Sequence, residues 1–169
     1  MIEYWDLYDN NLIKTKQTIS STEPIPEGYY HIALELWMIN DDNKLLMIKN
    51  SIDYSKRYPG SWCCIGGNLC SNETIENAIK RILYEKIGIN ISLDNKIIGS
   101  PVKRDPHKYA YITCILFNDI DLDKISFNDK NSTDARFIDK DEIINMEYNG
   151  EIAYYLIERI NNEIISYLK

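Results

Sequence analysis

A short run in the middle of the chain combines glycines, acidic residues and an arginine at spacings that suit phosphate chemistry. Gly66 and Gly67 precede Glu73, Arg81 and Glu85. Glycines between a strand and a helix let backbone N–H groups approach an anion, and the helix N-terminus adds positive potential. Many strand-to-helix turns carry glycine for packing alone, so the pair by itself is a weak indication of phosphate binding. The spacing of the charged residues that follow is the more specific signal.

A helix is predicted to position these charged residues. It begins near Asn72, a residue suited to the N-cap, and it ends at Gly88. Glu73 and Glu76 fall in its first turn, where the helix dipole favours anions. The glycine loop and the charged residues therefore belong to one strand–loop–helix unit.

Short β-branched and aromatic runs bounded by turn residues predict the strands. The predicted strands are 31–39, 44–49, 61–65, 96–102, 109–117 and 135–138. The first two are expected to form a hairpin, and the last is expected to be an edge strand. A second helix over about 150–168 carries an apolar stripe typical of a packing helix. The pattern predicts a mixed α/β architecture, with a helix packed on a mixed sheet.

Composition restricts the classes of function. A chain of 169 residues with 44% hydrophobic content suits a single domain, 1–169, with one sizeable core. The formal net charge of -7 opposes a nucleic-acid partner, because such binding depends on clustered Lys and Arg. The chain has neither a basic, apolar leader at its start nor an apolar run of about 18 residues, so we expect a cytoplasmic protein without a membrane partner.

The cysteines lack the spacing of a metal or redox site. They form no CxxC pair, and neither His31 nor His107 is spaced with them as a zinc ligand. They are therefore interpreted as small buried hydrophobes, with the one in the glycine loop as the exception to watch. The four cysteines are Cys63, Cys64, Cys70 and Cys114.

The run from Gly67 to Ile89 resembles the box of the Nudix (MutT-like) superfamily, GX5EX7REUXEEXGU, in which U is aliphatic. Seven of its nine defined positions are present. The lead-in YPGSWCCIGG and the later TDARFIDKDEI also resemble family segments, a strand before the box and a late strand with a helix start. The resemblance implies an α/β/α sandwich, in which the box helix and a C-terminal helix pack on a mixed sheet.

The resemblance also implies a reaction. In such a protein the box helix holds Mg²⁺ or Mn²⁺ against a diphosphate, and water attacks phosphorus. The implied metal ligands, at i, i+3 and i+4 on one helical face, are Ile82, Glu85 and Lys86 in this chain. Hard cations are bound through oxygen atoms, which neither Ile82 nor Lys86 supplies, so two of the three carboxylates are missing. Ile82 also continues the apolar stripe of the predicted helix, so we expect it to make ordinary packing contacts.

Two functions follow from these departures. The first is a Nudix-fold protein that binds a nucleoside diphosphate linked to another group, or a similar phosphorylated small molecule, with absent or weak hydrolysis and no required metal. The alternative is an active Mg- or Mn-dependent pyrophosphohydrolase with a shifted metal site, for which Glu85 and Asp134 are the candidate ligands. The resemblance allows a homodimer in either case.

Each candidate site residue has a second, structural interpretation. Arg81 and Glu73 either take part in catalysis with Glu85 or form a structural ion pair at the helix N-terminus. The Lys86 ammonium either is solvated or replaces part of the metal charge beside a phosphate. The candidate phosphate-binding residues are Gly66, Gly67, Lys86, Lys49 and Arg57.

The opening EYWDLYDNN, together with PEGYYHIALELWMI, is similar to Nudix proteins related to isopentenyl-diphosphate isomerase. His31 aligns with a metal-binding histidine of those isomerases. Pro24 stands where a second histidine is expected, and Gly66 stands where the catalytic cysteine is expected. Isomerase activity is therefore the most distant of the three alternatives.

Overall fold

The computed structural model describes residues 2–55, 57–105, 107–128 and 130–169. It has a two-stranded hairpin and an eight-stranded mixed sheet with helices on both faces, so the predicted α/β/α architecture is confirmed. The strands are β1 (Tyr4–Tyr8), β2 (Lys14–Ser20), β3 (His31–Ile39), β4 (Leu45–Asn50), β5 (Trp62–Cys63), β6 (Ile65–Asn68), β7 (Lys96–Ile98), β8 (Val102–Arg104), β9 (Tyr109–Phe117) and β10 (Ser132–Ile138). The longer helices are α1 (Ile75–Ile87) and α2 (Lys140–Tyr148).

The predicted hairpin of β3 and β4 forms, but its strands separate at once. Ile39 and Leu45 are the only paired positions that the two strands share among the described residues. Beyond this pair, β3 joins β6 through Leu34 opposite Gly67 and Glu35 opposite Gly66, while β4 joins β5 and β10. The separation opens the sheet beside the glycine loop.

The central strands β3 and β9 run parallel in exact register from end to end. Alternation along β3 places Ile32, Leu34 and Leu36 on one face and His31 and Glu35 on the other. The first three are buried in the core. The second face carries polar groups, and it is the face that the C-terminal residues cover.

Helix α1 begins two residues later than predicted, so Glu73 precedes the N-cap and, of the two predicted acidic residues, Glu76 alone lies in the first turn. Thr74 is the N-cap, and its side chain accepts a hydrogen bond from the Asn77 amide. Asn72 lies before the helix at φ 60°, where its amide donates to Asp6. The predicted end is confirmed, because Gly88 at φ 69° adopts the left-handed conformation that glycine tolerates best.

The predicted C-terminal helix over about 150–168 is wrong at its start and in its regularity. Gly150 has φ 69°, and Ile152 pairs with Trp62 in an isolated bridge, so helical turns run only over 154–167. Their type changes from 3-10 to α to π and back to 3-10. We call residues 154–167 the C-terminal helical segment. Its predicted apolar stripe is confirmed, with Leu156, Ile160 and Ile164 buried.

The β1–β2 hairpin was not predicted. It is attached to the glycine loop through Asp6, which accepts hydrogen bonds from the Ser71 hydroxyl and the Asn72 amide and lies 2.6 Å from Lys14 Nζ. A bridge between Tyr8 and Tyr30 joins it to the start of β3. Within the described ranges, no helix combines the length and the hydrophobicity that crossing a bilayer requires.

Candidate functional site

A cleft of about 1290 Å³ lies on the second face of the sheet. Its wall includes the glycine loop, the polar face of β3, the end of α1 and part of the C-terminal helical segment. In a chain of formal net charge -7, the described residues of this wall include four basic side chains and three acidic ones. These charged side chains are Arg57, Lys86, Arg104, Arg159, Glu35, Asp105 and Glu158. The formal charges of the cleft wall therefore sum to +1 (four minus three), whereas those of the rest of the chain sum to -8 (-7 minus +1).

The prediction that Gly66 and Gly67 lie in a loop is wrong, because both belong to strand β6 and pair with β3. We keep the name glycine loop for residues 66–73, and its two glycines have different surroundings. Gly66 lies opposite Glu35 and therefore on the cleft side of β6, where an added Cβ would lie 3.2 Å from the Leu34 carbonyl oxygen. Gly67 faces the core, and an added Cβ would lie 2.8 Å from Ile82 Cγ1 and 2.9 Å from Ile82 Cδ1. Glycine at 67 thus gives space to the isoleucine that stands where the box has a carboxylate.

Ile82 is a core residue. Its side chain is 1% exposed, and Ala78, Ile79 and Leu83 of the same helix are buried with it. Its contact with Gly67 completes this packing and keeps the isoleucine side chain in the core. The prediction that Ile82 makes ordinary packing contacts is therefore confirmed.

Glu73 and Arg81 clamp the loop to the helix. Arg81 Nε and Nη2 each donate to a Glu73 carboxylate oxygen at 2.8 Å, and Nη2 also donates to the Asn68 carbonyl at 2.8 Å. The Cys70 amide donates to the same carboxylate at 3.1 Å. Burial opposes ionisation, but the hydrogen bonds from Arg81 and Cys70 outweigh it and hold the pKa of Glu73 below its usual range. These contacts connect the loop with the helix, and the assignment of both residues as catalytic stays a prediction.

Glu85 lies outside the set of residues that line the cleft. Its side chain is 50% exposed, and it accepts a hydrogen bond from Arg81 Nη1 at 3.2 Å. Asp134 is also absent from the lining; it lies on edge strand β10 opposite Lys49, and it accepts the Ala135 amide at 2.8 Å. Their assignment as catalytic and metal-binding residues stays a prediction.

The described residues do not fit the divalent cation that the box implies. They contain no group of three or more His, Cys, Asp or Glu side chains that could hold a metal ion. At the box positions, Ile82 is packed in the core, Glu85 pairs with Arg81, and Lys86 carries the wrong charge. Mg²⁺ and Mn²⁺ prefer oxygen ligands, and these three side chains cannot supply a shared set of them.

Three of the five predicted phosphate-binding residues meet in the cleft with a fourth at its mouth. Gly66, Gly67 and Lys86 line it, and so does the exposed Arg57. The Lys86 charge acts on the buried Cys63 thiol in the same wall. Lys49 is not among the lining residues; its ammonium lies 5.7 Å from the centre of the Trp62 ring. Its role in phosphate binding stays a prediction.

The cleft also contains a buried ion pair that sequence reasoning missed. Glu35 Oε2 lies 2.7 Å from Arg159 Nε, with the two side chains 9% and 1% exposed. The N–H groups are not directed at the carboxylate, so the contact is one of charge rather than a hydrogen bond. Burial raises the pKa of Glu35 to about 7, although Arg159 and Arg104 oppose the rise. The sequence did carry a signal for this buried pair, namely charged residues inside two apolar runs, HIALELWMI and YYLIERI.

Aromatic residues form one end of the cleft. Trp5 of the N-terminal hairpin stacks on His31 with ring centroids 4.2 Å apart and an interplanar angle of 13°, and Tyr109 lies 6.0 Å beyond. Burial lowers the pKa of His31 to about 4, so the ring is neutral at physiological pH. His31 Nδ1 is buried without a hydrogen-bond partner among the described residues. The isomerase-like alignment of His31 with a metal ligand thus corresponds here to a neutral, stacked ring.

The cysteines behave largely as predicted. Cys63, Cys64 and Cys114 are buried, and Cys70 is partly exposed. Burial raises the pKa of Cys63 and of Cys114 to about 12, so both thiols stay protonated. The Cys63 thiol donates to Asn50 Oδ1 at 3.2 Å. These thiols do not provide a nucleophile.

The chain is similar to several known proteins along most of its length. A curated relative, an uncharacterized Nudix hydrolase of Listeria monocytogenes, is 27% identical over 95% of both chains. Isopentenyl-diphosphate Delta-isomerase 1 of Mesocricetus auratus is 26% identical over 76% of this chain and 60% of its own. This second match agrees with the weaker, isomerase-like part of the resemblance.

Two solved structures share the fold. DR0079 from Deinococcus radiodurans superposes with a TM-score of 0.71 at 18% identity, covering 93% of this chain and 98% of its own. The NUDIX domain of Shewanella oneidensis NrtR, complexed with ADP ribose, gives a TM-score of 0.58 at 14% identity, covering 83% and 93%. The model of the NUDIX domain matches residues 29–160, which contain the glycine loop, α1 and most of the cleft wall. The chain therefore belongs to the Nudix family.

Proposed function

We propose that this protein binds a nucleoside diphosphate linked to another group, or a similar diphosphate compound, in the cleft beside Gly66 and Gly67, and that it hydrolyses the ligand weakly or not at all. The proposal rests on the positions of two side chains of the box helix, α1. Ile82 is buried under Gly67, and the Lys86 side chain lines the cleft. The helix thus offers the cleft a fixed positive charge where the family presents carboxylates that hold a metal.

Each part of the proposed site has a physical role. Gly66 has no side chain on the cleft side of β6, which lets a phosphate approach the backbone there more closely than any other residue would allow. The Lys86 ammonium supplies charge that a divalent cation would otherwise bring, and Arg57 adds a second cation from the mouth of the cleft. A cleft of about 1290 Å³ exceeds the volume of a diphosphate alone, since small-ligand pockets commonly hold whole drug-sized molecules in about 300 to 1,000 Å³.

Weak hydrolysis follows from the same residues. Without carboxylates at positions 82 and 86, the helix holds no metal that would activate water or neutralise the charge that develops on phosphorus. Loss of a general base alone lowers rates by about 10²- to 10⁴-fold. The solved NUDIX domain bound to ADP ribose supports a ligand of this size and charge in the same fold.

The experiment is calorimetric titration of the protein with ADP-ribose in EDTA. Lys86→Met keeps the length of the side chain and removes its charge, and we expect it to weaken binding by about 10-fold or more. Lys80→Met is the matched control, because Lys80 is exposed on the same helix and is absent from the cleft wall. Equal affinities of the wild type and Lys86→Met would contradict the proposal.

An active metal-dependent hydrolase is the second candidate function, and two observations favour it. Glu85 retains its carboxylate at a box position with half of its side chain exposed, and the Listeria relative carries the name of a hydrolase. Release of AMP from ADP-ribose in 5 mM MgCl₂ at an ordinary enzymatic rate, about 1 s⁻¹ or faster, would favour this candidate.

A further inference from the structure

Two arginines meet on one tyrosine ring at the side of the cleft that belongs to β9. The guanidinium carbon of Arg159 lies 3.9 Å from the centre of the Tyr111 ring, and that of Arg104 lies 5.1 Å from it. Both arginines line a small pocket of about 110 Å³ beside the main cleft. This volume equals that of roughly three to four liquid waters, enough for one compact oxyanion group.

Neither guanidinium has its hydrogen-bonding capacity filled. Arg159 is 1% exposed; its Nη1 donates to the Tyr155 carbonyl, and its Nη2 is buried without a partner among the described residues. The Arg104 guanidinium forms no hydrogen bond or ion pair with any described residue, and it contacts the Tyr111 ring. A buried, unpartnered donor is costly unless a ligand or water completes it.

Glu158 and Glu163 line the same pocket as these arginines, but among the described residues neither forms an ion pair with Arg104 or Arg159, and the one carboxylate in contact with Arg159 is Glu35. Glu163 accepts a hydrogen bond from the Thr113 hydroxyl at 2.7 Å, and Glu158 is exposed. Burial favours the neutral form of Glu35 up to about pH 7. Glu35 faces Arg159 and Glu163 from the C-terminal helical segment and Arg104 from β8, with the Cys64, Cys114 and Tyr111 side chains also nearby.

We propose that Arg104 and Arg159, held on the Tyr111 ring, form a second anion subsite that binds a carboxylate or phosphate on the part of the ligand remote from the glycine loop. Arg159 Nη2 and the Arg104 guanidinium donate to the anion. Guanidinium groups suit this role, because they bind oxyanions through paired charge-assisted hydrogen bonds. Glu35 competes with the anion for Arg159, so binding at the subsite weakens as pH rises through about 7.

The position of the subsite in the sheet defines the ligand class. Lys86 acts on Cys63 of β5, which pairs with β4, whereas Arg104 belongs to β8, which pairs with β9. In the strand order, β4 and β9 lie on opposite sides of β3, and Arg104 and Arg159 line the small pocket whereas Lys86 does not. An anion bound by the two arginines is therefore a group separate from the diphosphate beside Gly66 and Gly67. The inference rests on the proposed function and narrows its ligand to a diphosphate compound with a further acidic group.

The first experiment uses inorganic sulfate, whose charge is constant between pH 6 and 8. Side-chain Nε–Hε signals of the arginines are followed by ¹⁵N NMR in the wild type, Arg104→Gln, Lys86→Met and Arg136→Gln. Arg136 is a matched control, because it also contacts an aromatic ring, Trp62 at 4.4 Å, but lies outside the cleft wall. We expect a saturating shift of the Arg159 signal, about 10-fold weaker sulfate binding at that signal in Arg104→Gln, and a change below 2-fold in Arg136→Gln. Lys86→Met is followed at the Gly66 and Gly67 amides, where the loss of its charge should weaken sulfate binding.

Several results would overturn the subsite. These are an Arg159 signal that does not respond to sulfate, an affinity that Arg104→Gln leaves unchanged, or an affinity at pH 8 equal to that at pH 6. The Gly66 and Gly67 amides report separately on the proposed function in the same spectra. Responding glycines with silent arginines reject the subsite alone, and responding arginines with silent glycines keep the subsite and reject the glycine-loop site.

Two further comparisons determine whether the subsite binds a carboxylate or a phosphate. Acetate replaces sulfate as a carboxylate probe, and UDP-glucuronate is compared with UDP-glucose, from which it differs by one carboxylate. A carboxylate ligand predicts at least 10-fold tighter binding of UDP-glucuronate, lost in Arg104→Gln. Sulfate binding without acetate binding assigns the subsite to a phosphate. Binding of neither probe contradicts the inference.

Discussion

Replacing Ile82 by glutamate tests the packing that removes the metal site. The change restores the residue type of the family box at a side chain that is 1% exposed and that lies within 2.9 Å of where a Gly67 Cβ would be. A glutamate there loses the buried contacts of isoleucine and brings a carboxyl group into the core. We therefore expect Ile82→Glu to be strongly destabilising.

The magnitude follows from two terms. Truncation of a buried isoleucine to alanine costs about 2 to 5 kcal/mol, and an unpaired carboxyl in the core adds a desolvation penalty of about 1 to 3 kcal/mol. Because the longer glutamate stem recovers some contacts, we expect a total of about 3 to 5 kcal/mol. With a urea m-value of about 2 kcal/mol/M, the unfolding midpoint falls by roughly 1.5 to 2.5 M.

The assay is urea unfolding at pH 7 in EDTA and in 5 mM MnCl₂, followed by fluorescence. Ile82→Leu is the control, because a volume-conserving exchange costs less than about 1.5 kcal/mol. An unchanged midpoint for Ile82→Glu would refute the packing of position 82. A midpoint raised by Mn²⁺ in this variant would show that the carboxylate reaches a metal in the cleft, which also refutes it.

Three further predictions concern the loop, the clamp and the buried pair. Gly67→Ala is expected to destabilise the protein by about 1 to 3 kcal/mol through overpacking, and Ile82→Val in the same chain should recover part of that loss in urea unfolding; strict additivity of the two changes would contradict the contact. Arg81→Gln is expected to lower the free energy of unfolding by about 1 to 3 kcal/mol, measured in the same way, whereas a purely catalytic Arg81 would leave stability unchanged. The pKa of Glu35 is raised in the folded state to about 7, so its stabilising contribution is complete below its unfolded value and is lost as pH rises to about 7. Relative to Glu35→Gln, the wild type should therefore lose about 3 kcal/mol of stability between pH 4.5 and pH 8, and a constant difference across that range would refute the burial argument.

Most of the fold could be predicted because its signals are local. The box spacing, the strand runs and Gly88 each depend on a few neighbouring residues, and the structure confirms most of the elements that they predict. The predicted strands 61–65 and 96–102 are each interrupted, the first at residue 64 and the second at residues 99–101. The errors arise where distant contacts decide. The bridge from Ile152 to Trp62 delays the last helical segment, and the hydrogen bond from the Asn72 amide to Asp6 keeps Asn72 out of α1.

The candidate site could be predicted only in part for the same reason. Gly66, Gly67 and Lys86 belong to one local motif, and all three line the cleft. Glu35 and Arg159 are 124 positions apart in sequence, and only the packing of the last helical segment on β3 brings their charges within 2.7 Å. Helical periodicity correctly indicated Ile82 as a packing residue, but it could not show that Gly67 is its partner.

The dependence of ligand binding on a divalent metal tests the central claim most directly. ADP-ribose is titrated into the wild type in EDTA and in 5 mM MgCl₂, and ³¹P NMR of the same samples follows the diphosphate. The site described here predicts affinities that agree within about 3-fold and diphosphate signals that persist, because Lys86 rather than a cation supplies the charge. Binding that requires Mg²⁺, together with rapid loss of the diphosphate signals, would contradict it.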